Sequence, residues 1–186
     1  MADLYSNTAL GKLIQQVTEA KFDDVPEQLQ RLIKYLMQMM QADRMTLGRL
    51  LDDEKIEFLS VSRKGVRPIL DSQDFVATHR PIDKEVIGLI KEGKVRVFNS
   101  SLTETFGKPE RLKQYDLDQS KGFVLIPIFL RDEPWGQLTC VRLEHHHQWD
   151  DQLIAMLQQA SITIASAYER YLFYRQAVEQ NNELKH

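Results

Sequence analysis

The chain has a single cysteine, Cys140, among 186 residues. One thiol cannot build an internal disulfide framework, and there is no CxxC pair for zinc or redox chemistry. Long hydrophobic runs are missing too. The longest, Phe123 to Leu130, is about eight residues, against the roughly 20 needed to span a bilayer. The opening MADLYSNTALGK has no basic start followed by an apolar block, so no signal peptide is expected. No single charge sign dominates. There are 24 Lys and Arg against 27 Asp and Glu, interspersed, for a net charge of −3, which leaves no basic footprint for nucleic acid. A phosphate-cradling glycine loop, a GxSxG elbow and an HExxH pair are all absent. The chain thus reads as cytoplasmic, with no membrane or nucleic-acid partner and no catalytic constellation. It is too short to hold both the phosphoacceptor hairpin and the ATP-binding domain of a histidine kinase. An apolar fraction of 42% suffices for a core, and the length favours one domain with extensions.

What is present changes period along the chain. Leu10, Leu13, Ile14 and Val17 recur at helical spacing, and a second helix runs from Pro26 to about Ala42 with Leu29, Leu32, Ile33, Leu36 and Met40 as its stripe. Residues 44–52 and 55–63 have strand composition and a short Asp53-Glu54 link, which predicts a hairpin. Residues 64–81 read as loop with one short strand, 82–92 as a short helix stopped by Gly93, and 95–98 as a strand. A helical turn is expected near 109–115. Phe123–Leu130 and Trp135–Leu143 form a second hairpin around Arg131 to Pro134. Asp150 or Asp151 then caps a long helix that no glycine or proline interrupts. Two hairpins with helices before and after predict an α+β fold: an antiparallel sheet of five or six strands with the terminal helices packed on one face and a long C-terminal helix. Pro127 sits awkwardly inside this scheme, because proline cannot donate a ladder hydrogen bond.

In the last helix, Leu157, Ala160, Ile164, Ala167, Tyr171, Tyr174, Val178 and Asn181 follow in alternating steps of four and three, the seam of a coiled coil. The spacing predicts a homodimer interface on Leu157, Ile164, Tyr171, Tyr174 and Val178. The alternative is a helix folded back on its own domain.

Three stretches carry a resemblance. IDKEVIGLIKEGKVRVFNSSL (82–102) is similar to a segment of short helix, "EGK" turn, strand and following Asn. GFVLIPIFLRDEPWGQLTCVRL (122–143) is similar to a central hairpin with an internal proline, a polar turn and an "hxGxL" return. QWDDQLIAMLQQASITIASAYER (148–170) is similar to a closing helix of recurring Leu and Ala. Together they resemble a GAF domain, the small-molecule sensory module of signalling proteins, over about residues 27–175. The wording is closest to cyanobacterial, phytochrome-like members. The resemblance implies residues 1–25 as an N-terminal extension, 26–170 as the domain and 171–186 as a signalling helix. It also implies a downstream signalling domain such as that of a two-component sensor histidine kinase.

Phytochrome-like relatives attach a bilin through a cysteine in the loop before the central strand. The matching stretch, FGKPERLKQYDLDQSKG (106–122), has none, so a covalent bilin is not expected and no cofactor is assigned. The methionine-sulfoxide-reducing branch works through several cysteines and is excluded. Of the cyclic-nucleotide set only Asn99 and Asp118 have counterparts. An unidentified small ligand would sit between the sheet and residues 99–121, with Phe98, Asn99, Phe106, Tyr115, Phe123 and Thr139 as candidate lining. Alternatively these aromatics fill a closed core, and the chain is a structural dimerisation module. His145, His146 and His147 are adjacent, but neighbours on extended chain point to opposite sides, so no metal site is assigned.

Overall fold

The computed structural model describes residues 8–67, 75–99, 102, 109–115, 117–144 and 148–185. Helix α1 (Thr8–Glu19), a 3-10 turn (Phe22–Asp24) and α2 (Val25–Met39) precede strands β1 (Arg44–Leu50) and β2 (Lys55–Ser62). Then come β3 (Thr78–Pro81), α3 (Lys84–Glu92), β4 (Arg96–Phe98), α4 (Pro109–Gln114), β5 (Gly122–Leu130), β6 (Glu133–Arg142) and α5 (Asp151–Glu183). The six strands form one antiparallel sheet in the order β3-β2-β1-β6-β5-β4.

Local chemistry sets the turns. Asp52 Oδ1 accepts from the backbone N–H of Glu54 and Lys55 at 2.7 and 2.8 Å, closing the β1–β2 hairpin as an Asx turn. Gly93 ends α3 in the left-handed region, with φ 70°. Arg131 and Asp132, with φ 53° and 63°, make the two-residue turn between β5 and β6. Positive φ at both positions matches the right-handed twist of a hairpin, although glycine and asparagine adopt it more readily.

Alternation along the strands sends successive side chains to opposite faces. One face, with Met45, Leu47, Leu59, Val61, Val124, Ile126, Ile128, Leu138 and Cys140, meets α1, α2 and α5 in the main core. Leu10, Ile14 and Val17 of α1 are buried in that core, so the first helix is integral to it. The opposite face carries a smaller cluster of Leu102, Phe123, Leu125 and Val141, with α3 packed over β5 and β6. The terminal helices therefore share one face as expected. The short middle helices lie on the other.

Pro127 has a local explanation. On the β4 side, pairing to β5 stops at Leu125, two residues earlier, and the β5–β6 register shifts between Ile128 and Phe129. Among the described residues Pro127 therefore has a ladder partner on the β6 side alone, and it sits beside an irregularity. Both circumstances admit a residue without an N–H. The strand is second from the edge of the sheet.

Helix α5 is N-capped by Asp150, whose side chain accepts from the N–H of Gln152 and Leu153 at 2.8 and 3.0 Å. Leu157, Ala160, Ile164 and Ala167 of its seam are buried in the chain's own core. The helix thus folds back on its own sheet along its first half, and Leu157 and Ile164 are not surface that a partner could reach. A helix against a sheet needs the same steps of three and four as a helix against a helix. Tyr171 is half-buried and stacks on Tyr168. Tyr174 stacks on Phe22 at 4.4 Å between ring centroids, and Val178 is exposed.

Candidate functional site

The sheet face turned away from the terminal helices holds a cavity of about 150 Å³. Its floor follows from strand register. Ser60, Thr46, Thr139 and Leu125 stand side by side across β2, β1, β6 and β5. The next row is Phe58, Gly48, Gln137 and Pro127. Cross-strand partners share a face, so these rows form one surface. Val86 and Leu89 of α3, Leu102, Leu112 of α4, Tyr115 and Leu117 roof it.

Phe98, Tyr115, Phe123 and Thr139 line this cavity. Phe98 and Phe123 lie 6.0 Å apart between centroids, and Tyr115 meets Phe58 edge-on at 6.1 Å. Asn99 is exposed just past β4 and is not part of the lining. Phe106 and the three adjacent histidines lie outside the described residues. The described residues contain no cluster of three or more His, Cys, Asp or Glu able to hold a metal.

The polar lining comes mostly from residues the sequence does not single out. Thr46 and Ser60 share a hydroxyl hydrogen bond of 2.9 Å, and Thr139 Oγ1 donates to Thr46 O at 3.4 Å. Arg44, buried on β1, donates from Nη2 to Tyr115 O and so ties the sheet to the roof. Gln137 is only 6% exposed, and its Oε1 is buried with no hydrogen-bond partner. Asp83 and Glu85, at the start of α3, stand at the rim. Cys140 points the other way. It lies in the helix-side core, and burial pushes its thiol well above the usual thiol range. A bond from Cys140 to a guest in the cavity would have to cross the sheet.

A GAF domain family model matches residues 24–168. The chain belongs to the GAF domain family. The circadian input-output histidine kinase CikA of Thermosynechococcus vestitus is 21% identical over 192 residues, which take in 99% of this chain and 26% of that protein. The chain therefore spans about a quarter of the length of this relative. Among solved structures, the red light-absorbing state of NpR6012g4, a red/green cyanobacteriochrome, superposes with a TM-score of 0.65 at 17% identity. That match covers 81% of this chain and 97% of the other. The phycocyanobilin-bound GAF domain from a cyanobacterial phytochrome gives 0.63 at 14% identity, over 88% and 96%. These likenesses establish the fold. No helix among the described residues is long and apolar enough to cross a membrane.

Proposed function

We propose that this GAF domain is a sensory module that binds a small molecule on the free face of its sheet and passes the change through α5 to a downstream signalling domain. The supporting observation is the roofed cavity with a buried carboxamide in its floor whose oxygen has no partner. Such a group has a cost unless something bonds it, and pockets with few polar groups in an apolar wall are the usual form of ligand sites. The relay reading draws on the layering. The cavity and α5 lie on opposite faces of one sheet, so a guest that shifts β1 or β6 also shifts the floor on which α5 rests. The likeness to part of a histidine kinase supports a two-component setting, and the helix beyond Tyr174 supports a homodimer.

A thermal-shift screen of small molecules tests the sensory reading. A ligand present at about 100 times its Kd should add about 2.7 kcal/mol of stability. A variant with the cavity filled, Val86→Phe, should lose that gain. If no compound stabilises the wild type, the reading gives way to a structural module with a closed pocket.

A further inference from the structure

The cavity's own chemistry specifies the guest further. Resting on the reading of this cavity as a ligand site, we infer that its ligand is a compact, uncharged aromatic ring bearing one hydrogen-bonding group, of the phenol or indole class, anchored by the Gln137 carboxamide. Three observations converge on this.

Size is the first. Cavities of about 150 Å³ walled by aliphatic and aromatic side chains take up a single benzene ring. The volume here is the same, about 150 Å³, and the walls include Ile56, Phe58, Phe98, Phe123 and Leu125. An open-chain tetrapyrrole or a nucleotide is several times larger than one ring.

Charge is the second. Among the described lining residues Arg44 is the only basic one, and its guanidinium reaches Tyr115 O in the roof. Asp83 and Glu85 at the rim repel an anion on its way in, while buried Arg44 disfavours a cation inside. A neutral guest meets neither obstacle.

The third is the anchor. The Thr46, Ser60 and Thr139 hydroxyls bond within the sheet, whereas Gln137 Oε1 has no partner. A carboxamide offers an acceptor and a donor side by side, which suits an O–H or a ring N–H on an otherwise apolar molecule.

The test compares 4-methylphenol, indole, toluene and benzoate by thermal shift and ligand-observed NMR, on wild type, Gln137→Leu and Val86→Phe. Gln137→Leu removes a buried carboxamide oxygen that has no partner and puts an apolar group of similar size in its place, so it should fold. The expected result is binding of 4-methylphenol and indole, about tenfold weaker binding of toluene, and none of benzoate. Gln137→Leu should erase the advantage of 4-methylphenol over toluene, and Val86→Phe should abolish all binding. If toluene matches 4-methylphenol in wild type, or the advantage survives Gln137→Leu, the anchor assignment is overturned. If the four probes fail while a bilin or a cyclic nucleotide binds and is lost in Val86→Phe, the ligand class is wrong and the sensory site stands. If nothing binds at millimolar concentration, both fail.

Discussion

Glu57 shows how single residues tie the layers together. Its carboxylate lies on the helix side of β2 and is 6% exposed. Oε1 accepts from Tyr168 of α5 at 2.6 Å and from Arg49 Nε at 3.3 Å, and His79 Nε2 on β3 lies 2.8 Å from Oε2. Burial alone would raise its pKa. The hydrogen bonds from Tyr168, His79 and Arg49, with the Arg49 charge, outweigh burial and hold it below the ordinary 4.5. A carboxyl depressed in the folded state stabilises the fold above its unfolded pKa, and that contribution fades as pH falls through the folded value. Glu57→Gln should therefore cost about 1–3 kcal/mol at neutral pH. It should also flatten the loss of stability below about pH 4.5. Urea unfolding midpoints at pH 7 and pH 3.5 measure both; an unchanged pH slope would remove Glu57 as a source of acid lability. Gly136 makes a different point. A Cβ there would lie 1.9 Å from the carbonyl oxygen of Gly48, a backbone atom that cannot rotate away. At Gly48 the nearest obstacle, at 2.8 Å, is Cδ1 of Ile56, the free end of a side chain. Gly136→Ala should cost about 3 kcal/mol or more, because β1 and β6 must separate, and Gly48→Ala distinctly less. Equal shifts in the urea midpoint would contradict this contact. The glycine of the "hxGxL" return thus has a physical reason: two strands approach too closely for any side chain.

The elements were largely legible in the sequence, and the reasons are specific. Hairpins with short polar links, a glycine after α3 and an Asp before α5 are local signals, and all lie where local chemistry puts them. The candidate site was legible only in part. Phe98 and Phe123 were readable because they sit at the ends of apolar strands beside the loop that roofs the site. Gln137 and Arg44 were not, because a polar residue alternating with apolar ones in a strand reads as solvent-facing. The roof from α3, α4 and residues around Tyr115, brought in from distant sequence, lies over them. The seam of α5 was legible as a seam but not as to its partner. A sheet and a second helix demand the same spacing, and nothing local distinguishes them.

At the scale of the whole molecule, α5 is longer than the sheet it covers. Its 33 residues span about 50 Å. Its buried positions end at Tyr168 and its half-buried ones at Tyr174. From Arg175 to Glu183 the helix is exposed on every side. Such a segment is marginal in water without packing. The most exposed apolar residues of the helix are ordered: Ile162, Phe173 and the capping residue Leu184 are 51%, 62% and 86% exposed, each eleven residues from the next, while Val178, at 39%, lies off their line. Eleven residues are close to three full turns, so the three form one stripe along the helix, at an angle to the buried seam. If two copies associate through α5, this stripe is the surface available to them, rather than Leu157 and Ile164. Phe173→Glu should then convert a dimer into a monomer at tens of micromolar and lower the unfolding midpoint only by the lost association, so that it matches wild type diluted to monomer, since Phe173 is mostly in solvent. Tyr171→Glu should behave in the opposite sense. That ring packs against Tyr168, so the charge should lower the midpoint whatever the state of association. Sedimentation equilibrium and urea melts on the wild type and both variants separate the two effects. A monomeric wild type would leave α5 without a partner helix, and a dimer that survives Phe173→Glu would place the interface on another face.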